Sequence, residues 1–219
     1  MSMLLIPCGF LLACSLTEIP ESVVAQATVN GSTLISKGFP EGTIRVDSTT
    51  AYVGSEAFVL GGSSRCEFHL YVAADEHRRV LRLYWIQFEG KLPSFIPRSY
   101  DYSDEPYRTV IGKHEFFDGV RYYNVAASRP EWNADSDIQR VLNLLEREGY
   151  HLNDDVMRIR LVRLDESKQQ ELMVIYLEDL AQHGLSLAAF EGASGALKWQ
   201  EASEGLRTRS LAGLIVDME

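Results

Sequence analysis

From residue 43 to 127 the chain reads as short apolar and aromatic blocks, several alternating with polar residues at the period of a strand rather than of a helix. The blocks cover residues 43–47, 52–60, 66–74, 80–89, 109–117 and 121–126, and Asp-Ser, Gly-Gly-Ser-Ser, Asp-Glu-His and Asp-Gly stretches break them. Breakers this short join antiparallel neighbours, because a parallel crossover needs about a dozen residues. An antiparallel β-meander is the expectation. Upstream, Asn30-Gly31 between two β-prone runs is a hairpin signal, and Asn30-Gly31-Ser32 is also a formal glycosylation sequon.

The pair 66–74 and 80–89 fixes a register parity. Cys66, Phe68, Leu70 and Val72 share one face of the first strand, and Leu81, Leu83 and Trp85 share one face of the second. Matching apolar to apolar sets Glu67, His69, Arg82 and Tyr84 together on the opposite face.

Beyond the meander the period changes. Ile138, Val141, Leu142 and Leu145 fall on one helical face over residues 137–148, with Asp135 or Ser136 as cap and Gly149 as stop. Residues 156–164 and 172–180 read as a second hairpin around Asp165-Glu166-Ser167-Lys168. The run Leu172 to Leu177 is continuously apolar and belongs at the centre of a sheet, whereas Arg158 and Arg160 point away from Met157, Ile159 and Leu161. Short helices after Ser186 and Ser203 complete the chain, and Leu214-Ile215-Val216 fits a helix end or an edge strand. The fold class expected is α+β: a largely antiparallel sheet, one well-defined amphipathic helix and short C-terminal helices, in one domain over residues 23–219.

Composition narrows the partners. Hydrophobic residues at 46% and charged residues at 24% match a globular chain, so no disordered reading is needed. A net charge of -10, with no basic run longer than His77-Arg78-Arg79 or the mixed Arg158 to Arg163 stretch, argues against nucleic acid, whose binding rests on neutralising phosphates.

The N-terminus bears on location. Met1 to Ser15 carries no charged side chain, and Leu11-Leu12-Ala13-Cys14 resembles the lipobox of bacterial lipoproteins. The resemblance implies lipidation of Cys14, export, and membrane anchoring through that residue alone, with residues 1–22 as leader and linker. A positive n-region is missing, so a buried first element is the competing reading. Cys8, Cys14 and Cys66 support neither a disulfide framework nor a zinc site, and no cofactor is implied.

Phosphate-loop, dinucleotide, zincin, nucleophile-elbow and paired C-x-x-C motifs are absent from the sequence. His114-Glu115 opens like a zincin, but Asp118 stands where its second histidine belongs. Glu178-Asp179 with His183 can hold a cation or move a proton, or simply end a strand. Glu67, His69, Arg82 and Tyr84 are the candidate ligand-binding set, with Arg82 as a fork for an anion. The stretch with Tyr100, Tyr102 and Tyr107 reads as a loop packed over the sheet or as a binding lip. The expectation is a non-catalytic, exported or membrane-anchored domain that binds a small ligand or a protein partner. A hydrolase or isomerase using a His and carboxylate pair is the alternative.

Overall fold

The computed structural model describes residues 25–95 and 98–219, and Cys8, Cys14 and the leader lie outside them. Two antiparallel sheets carry the fold. The smaller has the order β1 (Ala27–Asn30), β2 (Thr33–Ser36), β3 (Gly42–Arg45) and β12 (Ile215–Met218). The larger runs β4 (Ala51–Leu60), β5 (Ser64–Ala74), β6 (Arg79–Lys91), β11 (Gln170–Asp179), β10 (Asp155–Leu164), β8 (His114–Asn124) and β7 (Tyr107–Ile111). A two-residue strand, β9 (His151–Leu152), adds a parallel pairing to β6.

The chain is therefore α+β with mostly antiparallel strands, but the meander is interrupted. The β10/β11 hairpin inserts between β6 and β8, which puts β11 at the centre, where its unbroken apolar run belongs. The strand expected at residues 43–47 joins the smaller sheet instead, and the C-terminal Ile215–Met218 closes that sheet's edge against it. The Asn30-Gly31 hairpin is present, with Asn30 opposite Thr33 and Gly31 at φ 59°.

The strand breaks around residue 118 differ from expectation. Chain reversal occurs at Gly112-Lys113, where Gly112 has φ 63°, and Asp118-Gly119 lies inside the long strand β8. The physical reason is distant in sequence. Asp118 is buried and accepts from Thr109 Oγ1 at 2.7 Å and from Arg207 Nε at 3.0 Å, so its carboxylate is held inside a strand. Residues 125–126, expected as strand, begin the short helix α1 (Val125–Ser128), capped by the Asn124 side chain.

Helix α2 (Asp137–Arg147) starts at Ser136, whose hydroxyl accepts from the Gln139 N–H, and buries Val141, Leu142, Leu144 and Leu145. These pack on Phe68, Leu70, Leu83 and Leu177 from one face of the larger sheet. The opposite face packs Tyr84, Ile86, Ile159, Val174 and Tyr176 against the smaller sheet and against Leu206 of α3 (Gly195–Ala212). Instead of a short helix after Ser203, α3 is one element of 18 residues. Its buried positions include Gly195, Ser203 and Ser210 beside Leu206, so it shows almost no apolar stripe.

Candidate functional site

The α2-facing side of the larger sheet is built in rows that run across four strands. Leu83, Leu177, Arg158 and Arg121 form one row; Trp85, Ile175, Arg160 and Gly119 the next; Gln87, Met173, Val162 and Phe117 a third. Glu89, Glu171 and Leu164 form a fourth. Helix α2 covers one end of these rows, and the tyrosine loop covers the other. Tyr100 donates to Glu89 at 2.7 Å, and Tyr102 donates to Glu171 at 2.8 Å.

Between helix and loop the sheet is left partly open, as a cleft of about 330 Å³. Its apolar walls are Trp85, Tyr123, Trp132, Met173 and Ile175, and Tyr123 meets Trp132 edge to face at 6.0 Å between ring centres. Ile138 and Asp137, from the first turn of α2, close one side, while Arg158 and Arg160 enter from β10. Apolar walls with a few convergent polar groups are the usual make-up of a small-molecule site.

The charges in the cleft are unequal in their partners. Arg160 donates to Glu105 at 2.7 Å and lies over the Tyr102 ring at 5.0 Å. Arg121 reaches the same Glu105 at 3.5 Å. Glu105 owes its place to Gly119, since a Cβ there would collide with its carboxylate. Arg158 makes no hydrogen bond or ion pair with any of the described residues. Burial pulls its guanidinium below the usual arginine value, the Tyr123 hydroxyl works against that, and Arg160 and Arg121 add to it. Asp137 moves the other way: burial raises its carboxyl, the Ile138 N–H opposes, and Glu89 adds to the rise.

Behind the cleft, side chains form a polar chain. Trp85 Nε1 donates to Gln87 at 2.9 Å, and Gln87 Nε2 donates to Glu89 at 3.3 Å. Burial, then the charge of Glu89, pushes the Glu171 carboxyl up to about 8, so near neutral pH it holds a proton.

The four residues expected to bind a ligand share a face, as register parity requires, but they meet different partners. Glu67 and His69 are buried under the smaller sheet. Glu67 accepts the N–H groups of Gln26 at 2.5 Å and Ala27 at 3.2 Å, which ties down the start of β1. His69 lies 2.8 Å from Glu67 and 3.2 Å from the Tyr52 hydroxyl. Arg82 instead pairs with Asp47 and Thr49, and Tyr84 donates to the Ser210 carbonyl. Arg82 lines a different cavity from the one that Glu67 borders.

The strand-end acids diverge. Glu178 takes both Arg209 Nε and Nη2, at 2.7 to 3.0 Å, together with Tyr176 at 2.5 Å and His183 at 2.9 Å. Asp179 turns to the opposite side, where it accepts from Asn153 and from the Ala181 N–H. His114 is buried 3.1 Å from the Met218 carbonyl, which joins β8 to β12. Among the described residues no group of three His, Cys, Asp or Glu side chains is placed to hold a metal ion.

Comparison with protein-family models, curated proteins and solved structures gives no match for this chain. The cleft is assembled from β6, β8, β10, β11, α1, α2 and the segment between them, which sequence spacing does not bring together. One signal does survive in the sequence: Arg158 and Arg160 at strand spacing inside an otherwise apolar run next to a central strand.

Proposed function

We propose that the protein is a non-catalytic small-molecule-binding domain whose site is the cleft between α2 and the tyrosine loop. The observation that carries this reading is an aromatic-walled cavity of about 330 Å³ over the central strands, lined by Trp85, Tyr123 and Trp132. Binding is favoured over hydrolysis or isomerisation because neither His nor Cys lines the cleft. The imidazole and carboxylate pairs found elsewhere are engaged: Glu67 holds β1, and Glu178 is bound by Arg209. A lipid on Cys14, read by mass spectrometry of the mature N-terminus, would tether this binding domain to a membrane surface.

Tryptophan emission gives a direct test, since two of the three tryptophans line the cleft and Trp199 packs elsewhere, on Tyr122 and Phe190. In a Trp199→Phe background, titration with indole-sized neutral aromatics such as naphthalene-2-methanol should quench or shift the emission saturably. Trp132→Ala should abolish the saturable change. Absence of any saturable response to the neutral probe or to its charged analogues would refute the reading.

A further inference from the structure

Arg158 stands directly opposite Arg121 across the β8/β10 ladder, and Arg160 follows two residues along the same face. Cross-strand neighbours sit about 5 Å apart at Cβ, and like charges in that position destabilise a sheet. Around the cleft there are thus three guanidinium groups, from Arg121, Arg158 and Arg160, against one carboxylate, Glu105, which serves two of them. The other acid at the cleft is Asp137, whose neutral form burial favours. This local positive excess stands in a chain of net charge -10.

A half-buried guanidinium without an acceptor is costly, because the charge has lost water and gained no partner. Among the described residues Arg158 finds no acceptor, and it lines the cavity beside flat aromatic walls. Its fork of parallel N–H donors matches a planar two-oxygen anion, and Trp85, Tyr123 and Trp132 match a flat apolar body. We infer that the cleft takes a small aromatic or apolar molecule bearing an oxyanion such as a carboxylate, gripped by Arg158. This rests on the binding reading of the same cleft and adds the class of ligand.

The groups that face Arg158 set the pH range of such binding. They are Tyr123 and Arg121 on β8, Arg160 on the same strand, Asp137 on α2 and Glu105 on the tyrosine loop. Burial raises the Asp137 carboxyl, so its ionisation should weaken anion binding as pH rises, while the guanidinium charges stay constant.

The test compares 3-phenylpropionate with its uncharged twin 3-phenylpropanamide, by calorimetry and tryptophan emission, on the full chain at low and moderate salt. The acid should bind about tenfold tighter than the amide, with the margin shrinking as salt rises. Arg158→Gln should remove the margin by weakening the acid alone, and Arg158→Lys should keep part of it. Equal affinities for acid and amide in the unmodified protein would overturn the anion inference and leave the binding reading standing. A margin that survives in Arg158→Gln would overturn the assignment to Arg158. If neither compound nor the neutral naphthalene probe binds, the binding reading itself fails.

Discussion

Glu89 and Glu171 stand directly opposite each other on the central strands β6 and β11, and both are buried. Neither has a cation as ion-pair partner among the described residues: Lys91 turns to Ser64 and the Tyr100 ring, and Arg160 turns to Glu105. Burial, then the charge of Glu89, favours the protonated form of the Glu171 carboxyl, and the tyrosine hydroxyls above the two acids supply one hydrogen bond each. The tyrosine loop is therefore fastened onto the sheet through two buried acids, and burial of the second, Glu171, is easiest while it holds a proton.

A pH dependence of stability follows from that pair. The Glu171 carboxyl rises from the usual 4.5 to about 8 in the folded protein. Between those values the folded chain holds a proton that the unfolded chain has released, so stability falls as pH rises through the window. The slope for one such group is at most about 1.4 kcal/mol per pH unit. Urea denaturation at pH 5.5 and pH 8 should show the lower midpoint at pH 8. Glu171→Gln, which keeps an acceptor for Tyr102 without the charge, should flatten the profile and raise the midpoint at pH 8. An unchanged slope in that variant would rule out Glu171 as its source.

On the opposite face, Glu178 is almost fully buried and depends on one guanidinium. Burial alone would raise its carboxyl, but the Arg209, Tyr176 and His183 contacts outweigh it and hold the group ionised below its ordinary value. Arg209→Met should then destabilise the fold by about 3 kcal/mol, since it leaves a buried charge uncompensated. The double variant Glu178→Leu with Arg209→Met should lose less than the single one, because both charges leave together. Chemical denaturation of the four-member cycle measures the difference, and additive losses would contradict the coupling.

The elements most legible in the sequence are those whose pattern is local. The parity of β5 and β6, the cap and apolar face of α2 and the central place of β11 are each read from residues within one or two elements. What was not legible depends on distant partners. Asp118-Gly119 has the composition of a turn, yet Arg207, 89 residues on, keeps Asp118 inside β8. Helix α3 shows little amphipathic pattern because Gly195, Ser203 and Ser210 are among its buried residues, and β12 finds its partner β3 across most of the chain. The cleft shares this property. Arg158 and Arg160 are visibly set apart from the core positions of β10, but the side they face is defined by β8, β11 and the tyrosine loop.

Helix α2 links core and cleft, since its first turn carries Asp137 and Ile138 while its last turns are anchored by Leu144 and Leu145. Leu145→Ala removes a side chain 1% exposed and should cost about 2 to 5 kcal/mol in global stability. The same change should raise amide hydrogen exchange across residues 137–147 before that of β11. Uniform loss of protection in both elements would show that α2 has no separate opening step.

Glu105 is the carboxylate that restrains the positive cleft, with Arg160 at 2.7 Å and Arg121 at 3.5 Å. Replacing it by Gln keeps the shape over Gly119 and the hydrogen-bonding capacity but removes the charge. Arg160 and Arg121 would then join Arg158 without an anion, so affinity for 3-phenylpropionate should rise severalfold at low salt while that for 3-phenylpropanamide stays level. Stability should fall by about 1 kcal/mol, the usual size for a partly exposed ion pair. Stronger anion binding at a small cost in stability would mark Glu105 as a competitor for the arginines that the ligand needs. Weaker anion binding would instead mean that Glu105 orients Arg160 for the ligand, and that its hydrogen bond matters more than its charge.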